Sequence, residues 1–160
     1  MNEQRQRTPH HVVGFDPGLS GALAFYCPSA PHVVAARDLP VAGREINGAQ
    51  LADYLEQLRP AFAIVELVGA MPRQGVSSTF RFGRAFGTIL GVLAALRVPV
   101  HLVAPTRWKR HFRLSADKEQ ARALALRLWP ECTDTFALKK HHGRAEAALL
   151  AKFAAETIAA

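Results

Sequence analysis

The sequence has little cysteine, no long apolar run and few acidic residues, and each shortage excludes a class of protein. Its two cysteines, Cys27 and Cys132, lie far apart and form no CxxC or Cys/His spacing, so neither a disulfide framework nor a zinc site is indicated. The longest apolar stretch, residues 88–96, falls far short of the roughly 20 residues that span a membrane, which predicts that the protein does not insert into one.

Because acids are scarce, the chain is basic, with a net charge of +7 and an isoelectric point near 10.1. The charge is unevenly spread: residues 97–144 contain eleven Lys and Arg but four Asp and Glu. A concentrated basic surface attracts a polyanion, and nucleic acid is the commonest one. A solvated basic surface without a partner is the alternative interpretation of charge alone.

The length of 160 residues and the apolar fraction of 49% are enough for one well-buried core, which predicts a single domain over residues 12–160. Residues 1–11 are polar and lack the apolar core of a secretory signal, so we expect a short disordered arm. A cytoplasmic, nucleoid-associated protein is the expected setting, with a phage or organellar origin left open.

The order of predicted elements indicates an α/β fold. Residues 12–15, 22–26 and 32–37 favour three strands, and residues 61–65 and 100–103 favour two more. Helical spacing of apolar residues predicts helices over 48–58, over about 78–97 with Ser77 or Ser78 as cap, from Asp117 to Trp129, and from near His142 onwards. Residues 61–65 are apolar throughout, as expected of a strand covered on both faces of a mixed sheet, with the first strand among its neighbours.

Three carboxylates stand where strands and a helix could direct them at one point. Asp16 ends the first strand, Glu66 ends the strand at 61–65, and Glu146 lies in a largely apolar helix. A carboxylate removed from water must be paired or bind a metal, so we interpret the set as a Mg²⁺ site in a nuclease. Capping of the Pro17-Gly18 turn by Asp16, and a salt bridge from Glu66 to an arginine, remain the structural alternatives.

His142 is the candidate fourth member of this site. It lies four residues before Glu146, and residues four apart share a helix face. An imidazole can bind a metal or move a proton, although Mg²⁺ prefers oxygen ligands. Contact with a DNA phosphate or with solvent is the alternative for this side chain.

These motifs resemble those of the RuvC-type Holliday-junction resolvases, which belong to the ribonuclease-H-like superfamily. The run Asp16-Pro17-Gly18-Leu19-Ser20-Gly21 is similar to the first-strand motif of the family, and Val65-Glu66 to its second acid. The similarity is closest to the chloroplast-type resolvases and their bacterial and phage relatives. It is carried by residues 75–78, by Trp108-Lys109 and above all by residues 139–147, Lys-Lys-His-His-Gly-Arg-Ala-Glu-Ala.

The resemblance implies a five-stranded mixed ribonuclease-H-like sheet flanked by helices and a crossover junction endodeoxyribonuclease that makes paired symmetric nicks. Two Mg²⁺ ions per site, about 4 Å apart and replaceable by Mn²⁺, would straddle the scissile phosphate. Asp16 would bridge both ions, with Glu66 on one and Glu146 on the other. His142 would complete the site or move a proton, where many bacterial members have an acid.

The resemblance also suggests which residues meet DNA. The loop after Glu66 would enter the junction centre, where Met71 could wedge between bases and Arg73 or Gln74 could reach a base edge. An ordinary surface loop is the alternative. Further DNA contacts are expected from Ser77, Arg107, Lys109, Arg110, Lys139, Lys140 and Arg144, most of them to phosphates.

Gly83, Gly87 and Gly91 recur every four residues in one predicted helix, which favours close backbone approach. Packing on its own sheet and a two-fold contact between protomers are both open, and the second suits an enzyme that cuts two symmetric strands. Two other functions remain as alternatives: a catalytically silent junction-binding protein, and a nuclease acting on RNA/DNA hybrids. A kinase-like ATPase that uses residues 16–20 as a phosphate hairpin is the least favoured interpretation, because such enzymes need a second nucleotide-binding lobe, which 160 residues do not provide.

Overall fold

The computed structural model describes residues 10–67, 69 and 75–158, and its centre is a five-stranded mixed sheet in the order β3-β2-β1-β6-β7. Strand β1 pairs antiparallel with β2 and parallel with β6, and β6 pairs parallel with β7. A separate two-stranded hairpin, which the sequence analysis did not predict, is formed by β4 and β5. The strands are β1 Val12–Asp16, β2 Ala22–Tyr26, β3 Val34–Asp38, β4 Val41–Ala42, β5 Glu45–Ile46, β6 Phe62–Glu66 and β7 Val100–Val103.

The helices cover both faces of this sheet. Asn47 caps the first by accepting a hydrogen bond from the Gln50 N–H, and Asp117 caps the fourth by accepting one from the Glu119 N–H. Within the described residues the helices are α1 Gly48–Leu58, α2 Val76–Ala95, α3 Pro105–His111, α4 Lys118–Leu128, α5 Thr133–Phe136 and α6 His142–Thr157, with 3₁₀ turns at Pro130–Cys132 and Lys139–His141. None of them is long and apolar enough to cross a bilayer.

Alternate residues of the central strands enter two different cores. Val13, Phe15 and Val65 face α1 and α2, whereas Val12 and Ile64 face α6 and the helices beside it. This division confirms the expected mixed sheet with helices on both sides, because a strand with side chains alternating up and down can be apolar throughout only when both faces are covered.

Helix α6 lies unusually close to β1 because Gly14 has no side chain. A Cβ at Gly14 would stand 2.2 Å from the Ala147 carbonyl oxygen and 2.7 Å from the Ala151 nitrogen. The alanines of α6 complete this contact, since Ala147, Ala148 and Ala151 are fully buried. Close seating of α6 brings its first turn to the end of β1, where Asp16 lies.

Several predicted bounds were wrong by a few residues. Helix α2 begins at Val76 after Gly75, with no side-chain cap, so neither Ser77 nor Ser78 caps it. Strand β6 is shifted by one residue and contains Glu66 itself. Helices α3 and α5 were not predicted, because segments this short offer too few turns for a helical period to be recognised.

Candidate active site

The ends of two parallel strands bring Asp16 and Glu66 to the same edge of the sheet. Phe15 pairs with Val65, and each acid follows its member of that pair. Glu66 is only 6% exposed, and the indole Nε1–H of Trp108 donates a hydrogen bond of 2.8 Å to its Oε1. The alternative of a salt bridge from Glu66 to an arginine is not seen among the described residues, where a neutral indole is the hydrogen-bond donor to this acid.

The first two turns of α6 supply the other two predicted residues, His142 and Glu146. Glu146 is only 6% exposed, and the alanines on either side of it in the chain are fully buried. A Cβ at Gly143 would stand 3.1 Å from Asp16 Oδ2, so the first turn comes against the Asp16 carboxylate and needs a residue without a side chain there. The amino end of a helix carries partial positive charge, which favours an acid at this place.

The pKa values show that the three acids share one electrostatic environment. Burial raises the pKa of Asp16 well above its ordinary value, and the negative charges of Glu146 and Glu66 raise it further. Burial also raises the pKa of Glu66, against the hydrogen bond from Trp108, and Glu146 again adds to the effect. Lys109 and Lys118 act in the opposite direction on both acids. Concentrated negative charge of this kind is typical of a site that receives a cation.

Two buried side-chain atoms of α6 have no hydrogen-bond partner among the described residues, namely Glu146 Oε1 and His142 Nδ1. Lys109 Nζ lies 3.3 Å from Glu146 Oε1, which makes an ion pair but not a hydrogen bond of good geometry. An unpartnered carboxylate oxygen in a buried site is costly unless a further ligand satisfies it.

The donor set fits a hard divalent ion, since it offers carboxylate oxygens in an acid-rich pocket. However, in residues 10–67, 69 and 75–158 no three His, Cys, Asp or Glu side chains are already arranged to hold a metal. Trp108 engages Glu66, and the Lys109 ammonium lies against Glu146. Metal binding would therefore require Lys109 to leave Glu146 and the carboxylates to turn towards one another.

Sequence reasoning missed two residues of this site, Trp108 and Lys118. Trp108 was noted only as part of a motif, and its bond to Glu66 joins residues 42 apart in the chain. Lys118 is the first residue of α4, after the Asp117 cap, and its charge acts on Asp16 and Glu66. No local pattern distinguishes Lys118 from other basic residues at helix starts.

The predicted DNA contacts fall in several places. Met71, Arg73 and Gln74 lie outside the described residues, and Ser77 is exposed in the first turn of α2. Lys139 and Lys140 are exposed in the 3₁₀ turn that precedes α6. The other three, Arg107, Lys109 and Arg110, lie on α3.

Arg144 differs from the other predicted phosphate contacts because a carboxylate already engages it. Its Nε and one terminal nitrogen donate hydrogen bonds of 2.8 Å to the two oxygens of Asp38. This ion pair ties the first turn of α6 to the end of β3, and so helps to fix His142 and Glu146.

Comparison with known proteins finds one junction resolvase that is similar in sequence and several that are similar in fold. No family model matches the chain. The chloroplastic Holliday junction resolvase MOC1 of Chlamydomonas reinhardtii is 32% identical over 151 residues, which cover 89% of this chain and 17% of that protein. The chain thus spans about a sixth of the length of this curated relative.

Among solved structures, RuvC of Thermus thermophilus superposes with a TM-score of 0.62 at 20% identity, covering 91% of this chain and 95% of that one. The same RuvC bound to a Holliday junction substrate also gives 0.62, at 19% identity, with coverage of 93% and 96%. The chain has the RuvC fold. The yeast mitochondrial resolvase Ydc2 shares that fold with a TM-score of 0.57 at 15% identity, covering 91% of this chain and 78% of its own. The expected resemblance to RuvC-type resolvases is confirmed in the fold, as is the five-stranded mixed sheet flanked by helices.

Proposed function

We propose that this protein is a Mg²⁺-dependent endonuclease that resolves four-way DNA junctions by paired symmetric nicks. The observation that carries the proposal is the convergence of Asp16, Glu66 and Glu146 at one edge of a RuvC fold. The relatives support the substrate, because MOC1, RuvC and Ydc2 are each described by name or structure with Holliday junctions.

In this proposal Asp16, Glu66 and Glu146 hold two Mg²⁺ ions, for which Mn²⁺ can substitute, and His142 completes the site or moves a proton. When bound, the ions supply activation of water and stabilisation of the leaving 3′ oxygen, so that the products carry a 5′-phosphate and a 3′-hydroxyl. Lys109 and Lys118 attract the scissile phosphate, since both carry their charge beside the acids.

The basic residues of α3 and of the turn before α6 are proposed to contact the junction arms. Arg107, Arg110, Lys139 and Lys140 are exposed, and therefore available to phosphates. Met71, Arg73 and Gln74 remain the proposed contacts with bases at the junction centre. One nuclease domain over residues 12–160 in a cytoplasmic, nucleoid-associated setting also stays a proposal, and the relative described as chloroplastic keeps an organellar setting in view.

We further propose that the enzyme is a homodimer that pairs through α2. A Cβ at Gly83, Gly87 or Gly91 would meet no atom within 4 Å, so among the described residues this stripe packs on nothing. On the same face Val76 is 87% exposed and Phe80 is 65% exposed. An open helix face of small and apolar residues suits a second copy, and two active sites are needed for two nicks.

The decisive experiment is cleavage of a mobile four-way junction whose strands are 5′-labelled in turn, with Mg²⁺ present. We expect nicks at symmetric positions on two opposed strands, and little cleavage of a linear duplex or an RNA/DNA hybrid of the same sequence. Asp16→Asn should bind the junction without nicking it, whereas Asp53→Asn, at an exposed position of α1, should cut like the parent. Preferred cleavage of the hybrid would favour the ribonuclease alternative, and binding without cleavage in Mg²⁺ or Mn²⁺ would favour the silent one.

A further inference from the structure

A cleft of about 610 Å³ opens between α3 and the start of α4, and its polar lining is basic or hydroxylic. None of the described residues that line it is acidic. The polar side chains of this basic cleft are Thr106, Lys109, Arg110, Arg113 and Ser115. Three cations and two hydroxyls around one concave surface are the donors that a phosphate diester needs, because its oxygens are acceptors only.

The basic cleft adjoins the acids of the active site through a shared side chain. Lys109 lines the cleft, and its Nζ lies 3.3 Å from Glu146 Oε1. The shared lysine makes the cleft the neighbour of the acids on this side. Phosphates recur along a DNA strand at every nucleotide, so a strand that runs from the acids past Lys109 would bring a neighbouring phosphate to the cleft.

The wall of the basic cleft is held by a hydrogen-bonded turn. The Leu114 N–H donates to the Lys109 carbonyl at 2.8 Å, which closes the end of α3. Ser115 Oγ accepts from the Asp117 N–H at 3.1 Å, and the Ser115 N–H donates to Gln120 Oε1 at 2.8 Å. The next residue after Asp117 is Lys118, so one fixed turn positions both the cleft wall and a cation that acts on Asp16.

Arg113 has a close counterpart elsewhere in the fold. Its φ of 56° lies in the left-handed region, and Arg97 has the same conformation with a φ of 57°. Arg97 lies between α2 and β7, two residues after the helix ends, at the edge of the sheet opposite to the acids, and the cleft that it lines also contains Glu56. Left-handed backbone therefore does not identify a site, but it makes Arg97 a matched control for Arg113.

We infer that the basic cleft binds a DNA phosphodiester next to the scissile one, with Arg113 as a contact. The inference rests on the proposed function and extends it, since it assigns a specific binding site to the strand that is cut. Arg113 then fixes the strand beside the acids, and Thr106 and Ser115 offer hydroxyl donors to the same phosphate.

The first test compares Arg113→Asn with Arg97→Asn, both in the Asp16→Asn background so that DNA is bound but not cut. Asn tolerates left-handed backbone, so both variants remove one positive charge from the same conformation. Junction affinity is measured by fluorescence anisotropy over a range of salt concentrations. Arg113→Asn should make the negative slope of log K against log salt shallower by about 0.9, the value for one phosphate contact. Arg97→Asn should leave the slope unchanged.

The second test locates the phosphate. Single methylphosphonates, which are uncharged, are placed at successive positions of the cleaved strand. At one position beside the nick the substitution should weaken binding to the parent and to Arg97→Asn, but should cause no further loss with Arg113→Asn. Equal salt slopes for the two variants, or independent losses at every position, would overturn the inference.

The outcomes separate this inference from the proposed function. If the parent cuts junctions but Arg113→Asn binds DNA like Arg97→Asn, the proposed function holds and the inference about the cleft is wrong. If the salt slope for binding linear DNA depends on Arg113, but the parent shows no preference for junctions, the inference about the cleft holds and the proposed function is wrong. If the parent binds no DNA, both are wrong.

Discussion

At the scale of residues, the buried carboxylate of Asp16 opposes the stability of the fold that carries it. The pKa of Asp16 is raised above its ordinary value of 3.8, chiefly by burial and then by Glu146 and Glu66. A raised folded-state pKa means that the protonated form is favoured by folding. That contribution is fully present below the unfolded pKa and is lost as pH rises through the folded pKa.

Asp16→Asn should therefore be more stable than the parent at neutral pH when divalent ions are chelated with EDTA. The free energy of unfolding should rise by about 1.4 kcal/mol for each unit by which the pKa of Asp16 is raised. Each kcal/mol should raise Tm by about 2–4 °C in a chain of this size. Thermal unfolding between pH 4 and 8 measures it, and the gain should shrink towards pH 4, where the parent carboxyl is protonated too. Asp53→Asn should follow the parent, and an Asp16→Asn protein less stable than the parent at pH 8 would contradict this account.

Gly143→Ala should impair catalysis more than stability. The new Cβ would stand 3.1 Å from Asp16 Oδ2, which forces the carboxylate to move by a few tenths of an ångström. Displacements of this kind can lower kcat by about tenfold to a hundredfold, whereas Ala in a helix favours folding over Gly. Gly48→Ala at the start of α1 is the control, because its Cβ would meet Val92 Cγ2 at 3.4 Å. Unchanged junction cleavage by Gly143→Ala would show that Asp16 does not need this close contact.

At the scale of elements, α6 is the part of the fold that assembles the site. Gly14 and the alanines seat it on β1, and the Arg144–Asp38 pair ties its first turn to β3. The sequence predicted α6 from its apolar spacing and its His-Gly-Arg-Ala-Glu run. Arg144 stays a predicted phosphate contact, but its pairing with Asp38 could not be predicted, because a partner 106 residues away cannot be recognised from local pattern.

Helix α2 carries the element-level prediction. Gly87→Arg should convert the proposed dimer into a monomer, since a long charged side chain would enter a face on which a Cβ meets nothing within 4 Å. Sedimentation velocity at micromolar concentration measures the change, and junction cleavage should lose its pairing of nicks. Gln57→Arg adds the same charge at an exposed position of α1 and should remain dimeric. A monomeric parent, or a Gly87→Arg protein that still dimerises, would contradict the proposed interface.

At the scale of the whole molecule, the sequence was most informative where a charged side chain stands next to apolar residues. Removing a carboxylate from water is costly unless it is paired or binds a cation, so the apolar strands that end in Asp16 and Glu66 predicted both the mixed sheet and the grouping of the acids. Trp108 and Lys118 could not be predicted in this way. Their roles depend on how α3 and α4 approach the sheet edge, which is a property of tertiary packing.

Whether Asp16, Glu66 and Glu146 form one metal centre can be measured in an anomalous difference map of crystals grown with Mn²⁺. We expect Mn²⁺ density shared by these three carboxylates, with Lys109 Nζ moved away from Glu146 Oε1, its neighbour at 3.3 Å. Crystals of Asp16→Asn should lose that density. Density located away from the three acids, or absent beside them at millimolar Mn²⁺, would show that these acids do not form a metal centre.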